Sequence, residues 1–154
     1  MELVTIENIT LFLALWGAGL STYKVISDHR KSVRKLKVNI TFGFRIKRRS
    51  TGPSVVILSA INMRNRDVTL NSMGFILPDK RYLLIVEPQS NVSFPYTLNE
   101  GKECSVWQTQ KEFAEELETY GFSGKIKLKG YFKSATGKTY ESKKISFNTE
   151  SIME

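Results

Sequence analysis

Hydrophobic and polar positions divide the chain into two parts with different periods. Residues 9–26 form an apolar run that is interrupted only by hydroxyl groups and by Lys24. From Val38 to Phe147, the apolar residues instead recur at every second position in short runs. A long apolar run predicts a membrane-spanning or deeply buried helix, and period-two runs predict strands with one buried face. We therefore predict an N-terminal helical region (residues 1–37), a β domain (residues 38–148) and a C-terminal tail (residues 149–154).

The β domain consists of short strand signals separated by turn signals. The segment from Val38 to Ile46 alternates strictly, and SVVILSAINM is nearly continuous in apolar residues, as in a central strand. After residue 68 the alternation shifts once, which predicts a β-bulge. The sequence SATG between two alternating runs predicts a hairpin. About seven such strands at a spacing of ~10 residues predict an antiparallel, immunoglobulin-like β-sandwich.

One segment of this domain has a helical period. Thr109 and Glu112 have the spacing of a capping box, and Gly121 is placed to end the helix. The apolar residues in between are Phe113, Leu117 and Tyr120. We predict one short inserted helix that lies on the sheet.

The stretch VVILSAINMRNRDVTLNSMGFIL combines a central strand, a tight turn from Asn62 to Asp67 and a shifted strand that ends in Gly-Phe. It resembles uncharacterised small bacterial membrane proteins with a single span, which join an N-terminal helix to an immunoglobulin-like or fibronectin type III-like domain. The resemblance implies the same mainly β fold. It implies no catalytic residues that could be transferred to this chain.

The flanks of the apolar run indicate where the β domain is located. Glu2 and Glu7 precede the run without any Lys or Arg, and no small-residue cleavage pattern follows it, so a cleaved export signal is disfavoured. Positive charge near a span marks its cytoplasmic side. The basic residues that follow are Arg30, Lys31, Arg34, Lys35 and Lys37. We predict a single-pass anchor at residues 9–26 in the cell membrane, with the N-terminus outside and the β domain in the cytoplasm.

A soluble alternative stays open. An apolar segment of this length also occurs in helices that are buried in a partner. Ala14, Gly17 and Ala18 are small and lie close together on one helical face, which permits close pairing of helices. In this alternative, the chain is a structural subunit that forms a homo-oligomer or joins a larger assembly through its N-terminal helix.

The charge of the chain favours an anionic partner. The net charge is +8, and eleven Lys or Arg residues without any Asp or Glu lie between Arg30 and Arg66. Our candidates for contact with anionic lipid headgroups or another polyanion are Arg30, Lys31, Arg34, Lys35, Lys37, Arg45, Lys47, Arg48 and Arg49. Nucleic acid is a third, disfavoured partner, because no RNA-binding strand motif and no recognition helix occurs. The lysines at positions 125, 127, 129 and 133 share one strand face, where they also serve to prevent aggregation.

The sequence contains little that could support catalysis. Cys104 and His29 are the only cysteine and the only histidine, so a Cys/His zinc site within one chain is excluded. The glutamates at positions 112, 115, 116 and 118 are expected on a solvated helix face. We predict no enzyme activity, no metal and no cofactor. The predicted function is that of a membrane-tethered β-sandwich that binds an unknown protein partner as an adaptor.

Overall fold

A computed structural model describes residues 2–32, 36–47, 50–63, 65–86 and 89–153, and it describes side chains for all of these except residues 2–7, 28–32, 47, 50, 51, 151 and 153. The elements, in chain order, are α1 (Glu2–Ser32), β1 (Leu36–Lys47), β2 (Ser50–Asn62), β3 (Val68–Ile76), β4 (Tyr82–Leu84), β5 (Gln89–Ser90), β6 (Tyr96–Leu98), β7 (Glu103–Thr109), α2 (Gln110–Thr119), β8 (Lys125–Ser134), β9 (Thr139–Glu141), β10 (Ile145–Asn148) and α3 (Glu150–Met153). The chain divides into two units, Met1–Val33 and Arg34–Glu154.

Helix α1 makes up the first unit. Its segment Asn8–Ser27 has 20 residues and a mean hydropathy of 1.4, and none of it is buried. At 1.5 Å per residue this segment is about 30 Å long, which matches the hydrocarbon core of a bilayer. The first unit therefore contains a helix that is apolar enough to cross a membrane.

The second unit is a β-sandwich of two antiparallel sheets, as predicted. The first sheet has the strand order β1-β2-β7-β5, and the second has the order β10-β8-β3-β4. In the second sheet, β9 and β10 pair with successive parts of β8, and β4 and β6 pair with successive parts of β3. The predicted central strand is β2, which lies between β1 and β7.

The inner faces of both sheets supply one hydrophobic core. Val56 and Leu58 of the first sheet and Phe75, Leu128 and Phe132 of the second are at most 2% exposed. The predicted bulge is present, because the pairing of β3 with β8 shifts between Leu70 and Ser72. With this shift, alternating apolar residues of β3 and the residue that follows it all lie inside the core, namely Val68, Leu70, Met73, Phe75 and Leu77.

Helix α2 packs on this core and has the predicted cap. The Thr109 hydroxyl accepts a hydrogen bond from the Glu112 backbone N–H at 3.2 Å, and the Glu112 carboxylate accepts one from the Thr109 N–H at 3.3 Å. The ring of Phe113 lies 4.5 Å from that of Phe75. Tyr120 was predicted on the same apolar stripe but is 48% exposed, because it is the C-cap residue and the helix ends there.

The first strand differs from its prediction in burial. Val38 is 5% exposed, but Phe44 and Ile46 on the same face are 68% and 82% exposed. Strand β7 also stops short of this end of the hairpin, since it pairs with β2 only from Val55 to Ile61. The end of the β1–β2 hairpin therefore extends past β7 as two strands. We call residues 44–47 and 50–54 the hairpin tip.

The C-terminal part also differs from the predicted pattern. The second alternating run at SATG, residues 138–147, forms the two strands β9 and β10, and between them the Ser142 hydroxyl accepts a hydrogen bond from the Gly130 N–H at 2.9 Å. In the predicted tail, Thr149 is fully buried and its hydroxyl accepts a hydrogen bond from the Gly124 N–H at 2.9 Å. Ile152 packs against the core. The sandwich unit thus includes residues beyond position 148.

Two glycines permit close approach within the sandwich. A Cβ atom at Gly74 would lie 1.9 Å from the backbone oxygen of Leu83, and a Cβ atom at Gly130 would lie 2.2 Å from Cδ1 of Leu58. The first contact is with the backbone of the neighbouring strand β4. The second is with a side chain from the opposite sheet. A side chain at Gly74 would have to displace β4, whereas one at Gly130 would have to move Leu58 and crowd Ile40.

Candidate interaction surfaces

Helix α1 exposes large apolar side chains on all sides. Phe12, Leu15 and Trp16 are 62–66% exposed, and the rings of Phe12 and Trp16 stack with their centroids 6.0 Å apart. Among the side chains described in this helix, none is buried. A helix that is apolar all round requires an apolar environment, which is either a bilayer or other protein.

The predicted basic residues are only partly within the described structure. The side chains of Arg30, Lys31, Arg34, Lys35, Lys47, Arg48 and Arg49 lie outside the described residues. Lys37 and Arg45 are described, and both are exposed. They are eight residues apart on β1, so their backbones are about 26 Å apart. The structure therefore does not bring these two residues into one site.

Arg45 lies in a polar cluster on the first sheet. Its Nη1 atom donates a hydrogen bond to Gln89 Oε1 at 3.2 Å, and Trp107 Nε1 donates to the same oxygen at 3.1 Å. Lys37 instead lines a cavity of about 690 Å³ with Lys143 and Lys144, between the start of β1 and the β9–β10 connection. Both positions leave a positive charge at the surface.

The hairpin tip carries exposed apolar side chains next to this charge. Phe44 and Ile46 point to one face of β1, and Arg45 lies on the other face. Exposed apolar residues of this size that cluster together mark interaction sites more often than single ones do. The alternation in the sequence predicted these residues correctly as one face, but it could not predict that no sheet covers them.

A second basic surface lies on the outer face of the second sheet. A cavity of about 590 Å³, which we call the lysine groove, is lined by residues from the β3–β4 turn, β8, β9 and the β9–β10 connection. Its charged and aromatic residues are Lys80, Tyr82, Lys127, Lys129, Glu141 and Lys144. The period of β8 indicated that Lys127 and Lys129 share a face. No local signal linked them to Lys80 or Lys144, which come from other segments.

Of the groups considered for catalysis, Cys104 and the glutamates of α2 are described, and the side chain of His29 lies outside the described residues. Cys104 is buried in β7, and burial raises the pKa of its thiol to about 11. A thiol with this pKa is protonated and unreactive at neutral pH. The four glutamates of α2 are exposed, as predicted. Within the described part of the chain, no cluster of His, Cys, Asp or Glu could hold a metal ion.

Comparisons with known proteins give no family. No protein-family model matches the chain, and no curated protein matches it. A crystal structure assigned to ApaA from Bordetella pertussis is similar over 75% of this chain and 94% of its own, with 9% identity and a TM-score of 0.41. The Northeast Structural Genomics Consortium target SoR45 is similar over 73% of this chain and 86% of its own, with 9% identity and a TM-score of 0.33. These similarities are too low to carry an argument, so the resemblance to single-span bacterial proteins stays a prediction.

Proposed function

We propose that the protein is a non-enzymatic adaptor: a β-sandwich that is tethered to the cell membrane by α1 and binds a protein partner at the cytoplasmic face. The observation that carries this proposal is the exposed, 20-residue apolar segment Asn8–Ser27 in a chain whose sandwich has a core of its own. Only three residues separate Ser32 from Leu36.

The distribution of charge supports the orientation. Glu2 and Glu7 precede the segment, and five basic residues follow it between Arg30 and Lys37. Because Lys and Arg are retained on the cytoplasmic side, the sandwich would be cytoplasmic. Protease added to intact cells should leave the sandwich uncut, and protease added after permeabilisation should digest it. Cleavage in intact cells would reverse the orientation.

The soluble alternative is an oligomer that buries α1. It is supported by the apolar surface of Phe12, Leu15, Trp16, Gly19 and Leu20, where a glycine lets a second helix approach. Extraction of membranes with alkaline carbonate separates the two functions. A tethered protein stays in the pellet, whereas an oligomeric subunit appears in the supernatant with a mass above that of the monomer.

The hairpin tip is our proposed contact for the protein partner. Its exposed Phe44 and Ile46 lie beside Arg45, within a stretch that contains no acidic residue from position 30 to position 66. The complementary partner presents an apolar patch with a rim of Asp and Glu, since opposite charges steer the two surfaces together. A partner surface without acidic residues would leave the positive charge around the tip without an opposite charge to pair with.

Substitution at the tip tests this contact. In cross-linking of the full-length protein in mild detergent, Phe44→Ser with Ile46→Ser should remove the partner, and higher salt should weaken its capture. Val86→Ser is the matched control, because Val86 is an apolar side chain with 79% exposure that lies outside the tip. Equal capture by the tip variant and the control would exclude the tip as the binding surface.

Anionic lipid is the second contact that we propose for the basic residues. Arg30, Lys31, Arg34, Lys35 and Lys37 would add about 1 kcal/mol each near a negatively charged surface at low salt, and less at physiological salt. Flotation of residues 27–154 with liposomes tests this, with the five residues changed to Gln for comparison. Wild-type binding should require anionic lipid and should weaken with salt. Equal flotation of both variants, or binding to neutral liposomes, would leave these charges with only a role in topology.

A further inference from the structure

The lysine groove has an uncompensated positive charge. Four ammonium groups and one carboxylate line it, which gives the lining a net charge of +3. Lys129 Nζ lies 2.8 Å from Glu141 Oε2, so this pair neutralises itself. Among the described residues, Lys80, Lys127 and Lys144 form no ion pair. Three like charges around one cavity repel each other, and a bound anion would relieve that repulsion.

The backbone holds Lys80 at a turn position beside the groove that glycine fills more easily. Lys80 has φ = 69°, the only non-glycine residue with a positive φ among those described. The Lys80 N–H donates to the Leu77 carbonyl at 2.9 Å, and the Leu77 N–H donates to the Arg81 carbonyl at 2.9 Å, so the turn fixes this conformation. Glycine adopts it without strain and lysine does not. Strained residues of this kind cluster at ligand sites.

The walls of the groove are apolar and aromatic. Leu77 and Leu128 line it, and the ring of Tyr82 packs edge-on against Tyr131 with the centroids 5.0 Å apart. Tyr131 is 4% exposed, so it holds the more exposed Tyr82 in place. The cavity thus combines ammonium groups with a wall of leucine and tyrosine side chains. Such a lining binds a small organic anion better than a fully hydrated ion.

We propose that the lysine groove is a binding site for a phosphate-bearing ligand, held by Lys80, Lys127 and Lys144 against the wall of Tyr82. Lysine binds phosphate as a point charge, and a phosphate group brings more negative charge into a small volume than a single carboxylate does. Such a phosphate could belong to a lipid headgroup or to a soluble phosphate ester. The chemistry of the groove is the same for both. This site is separate from the hairpin tip, so the inference does not depend on the proposed function.

The test is a calorimetric titration of the full-length protein in neutral detergent. Inorganic pyrophosphate is the probe for soluble phosphate groups, and glycerophosphoglycerol represents the headgroup of an anionic phospholipid. We expect saturable binding of one of them that weakens with added chloride. Tighter binding of pyrophosphate would assign the site to soluble phosphates, and tighter binding of glycerophosphoglycerol would assign it to lipid. Absence of saturable binding for both would overturn the proposal.

Variants separate the groove from charge in general. Lys80→Gly and the double variant Lys127→Gln, Lys144→Gln should each weaken binding about tenfold or more, because each removes charged hydrogen-bond donors. Lys133→Gln is the control, since Lys133 is exposed on the same β8 face but does not line the groove. Lys80→Gly also relieves the strained backbone, so the melting temperature of this variant should not be lower than that of the wild type. Equal weakening in the control would show that only the overall charge matters, which would also overturn the proposal.

Discussion

The two longer helices of this protein differ in whether their apolar side chains are buried or exposed. Helix α2 has ten residues and places Phe113, Ala114 and Leu117 in the core with 0% exposure, while its glutamates lie in solvent. Helix α1 has 31 residues, and apolar side chains such as Leu15 are more than half exposed. In α2 the sheet explains the pattern, since the apolar stripe faces it. In α1 no described side chain is buried, so the first unit by itself does not explain the apolar residues.

The largest expected effect is on the stability of the sandwich, when a phenylalanine is replaced in α2 but not when one is replaced in α1. Phe113→Ala should lower the free energy of unfolding of the sandwich by about 4 kcal/mol, because it leaves a cavity beside Phe75 and Phe147. Phe12→Ala in α1 is the matched control and should leave this free energy unchanged. Urea denaturation of the full-length protein in detergent, followed by the β signal in circular dichroism, measures both. An equal loss in the two variants would mean that α1 also belongs to the sandwich core.

A charge in α1 should have the next largest effect, and on a different quantity. Leu15→Arg should disfavour insertion into a bilayer by about 3 kcal/mol and increase the fraction released by carbonate. The stability of the sandwich should not change. Leu15→Phe, which stays apolar, should be retained like the wild type. If the arginine variant were retained equally well, α1 would not lie in lipid, and the comparison between the two helices would need another explanation.

The cap of α2 should give the smallest of the three effects. Thr109→Ala removes the hydrogen bond to the Glu112 N–H and should cost about 1 kcal/mol in the same urea experiment. Thr119→Ala is the control at the other end of the helix, where the hydroxyl only donates to the Glu115 carbonyl. It should change stability by less than about 0.5 kcal/mol. A larger loss at Thr119 than at Thr109 would contradict the role of the cap.

The sequence predicted those features that depend on residues close together along the chain. The capping box, the bulge in β3 and the hairpin at SATG each have a signal within a few residues, and each is present. The mainly β fold followed from the repetition of such signals. The exposure of Phe44 and Ile46 could not be predicted in this way, because it depends on how far the opposite sheet extends over β1, which no nearby residue indicates.

The lysine groove shows the same limit more clearly. Lys127 and Lys129 were recognised as neighbours on one strand face, but Lys144 joins them only after the β9–β10 connection places it there. The positive φ of Lys80 depends on the closure of the turn between Leu77 and Arg81. A turn that favours glycine at such a position cannot be recognised from the sequence when the residue there is lysine. Long-range pairing therefore decides the sites, whereas local patterns decide the elements.

The two glycines of the second sheet offer a way to recognise distant relatives of this protein. Gly74 faces the backbone of β4, which cannot be exchanged by mutation, so any chain with this fold should keep glycine there. Gly130 faces the ends of the Leu58 and Ile40 side chains, so alanine should be tolerated where positions 58 and 40 leave more room. Gly74 and Gly130 are 56 positions apart in this chain. An invariant glycine at the first position and a glycine that covaries with its contacts at the second would form a signature based on steric contact. Such a signature can persist when overall sequence identity has become too low to detect.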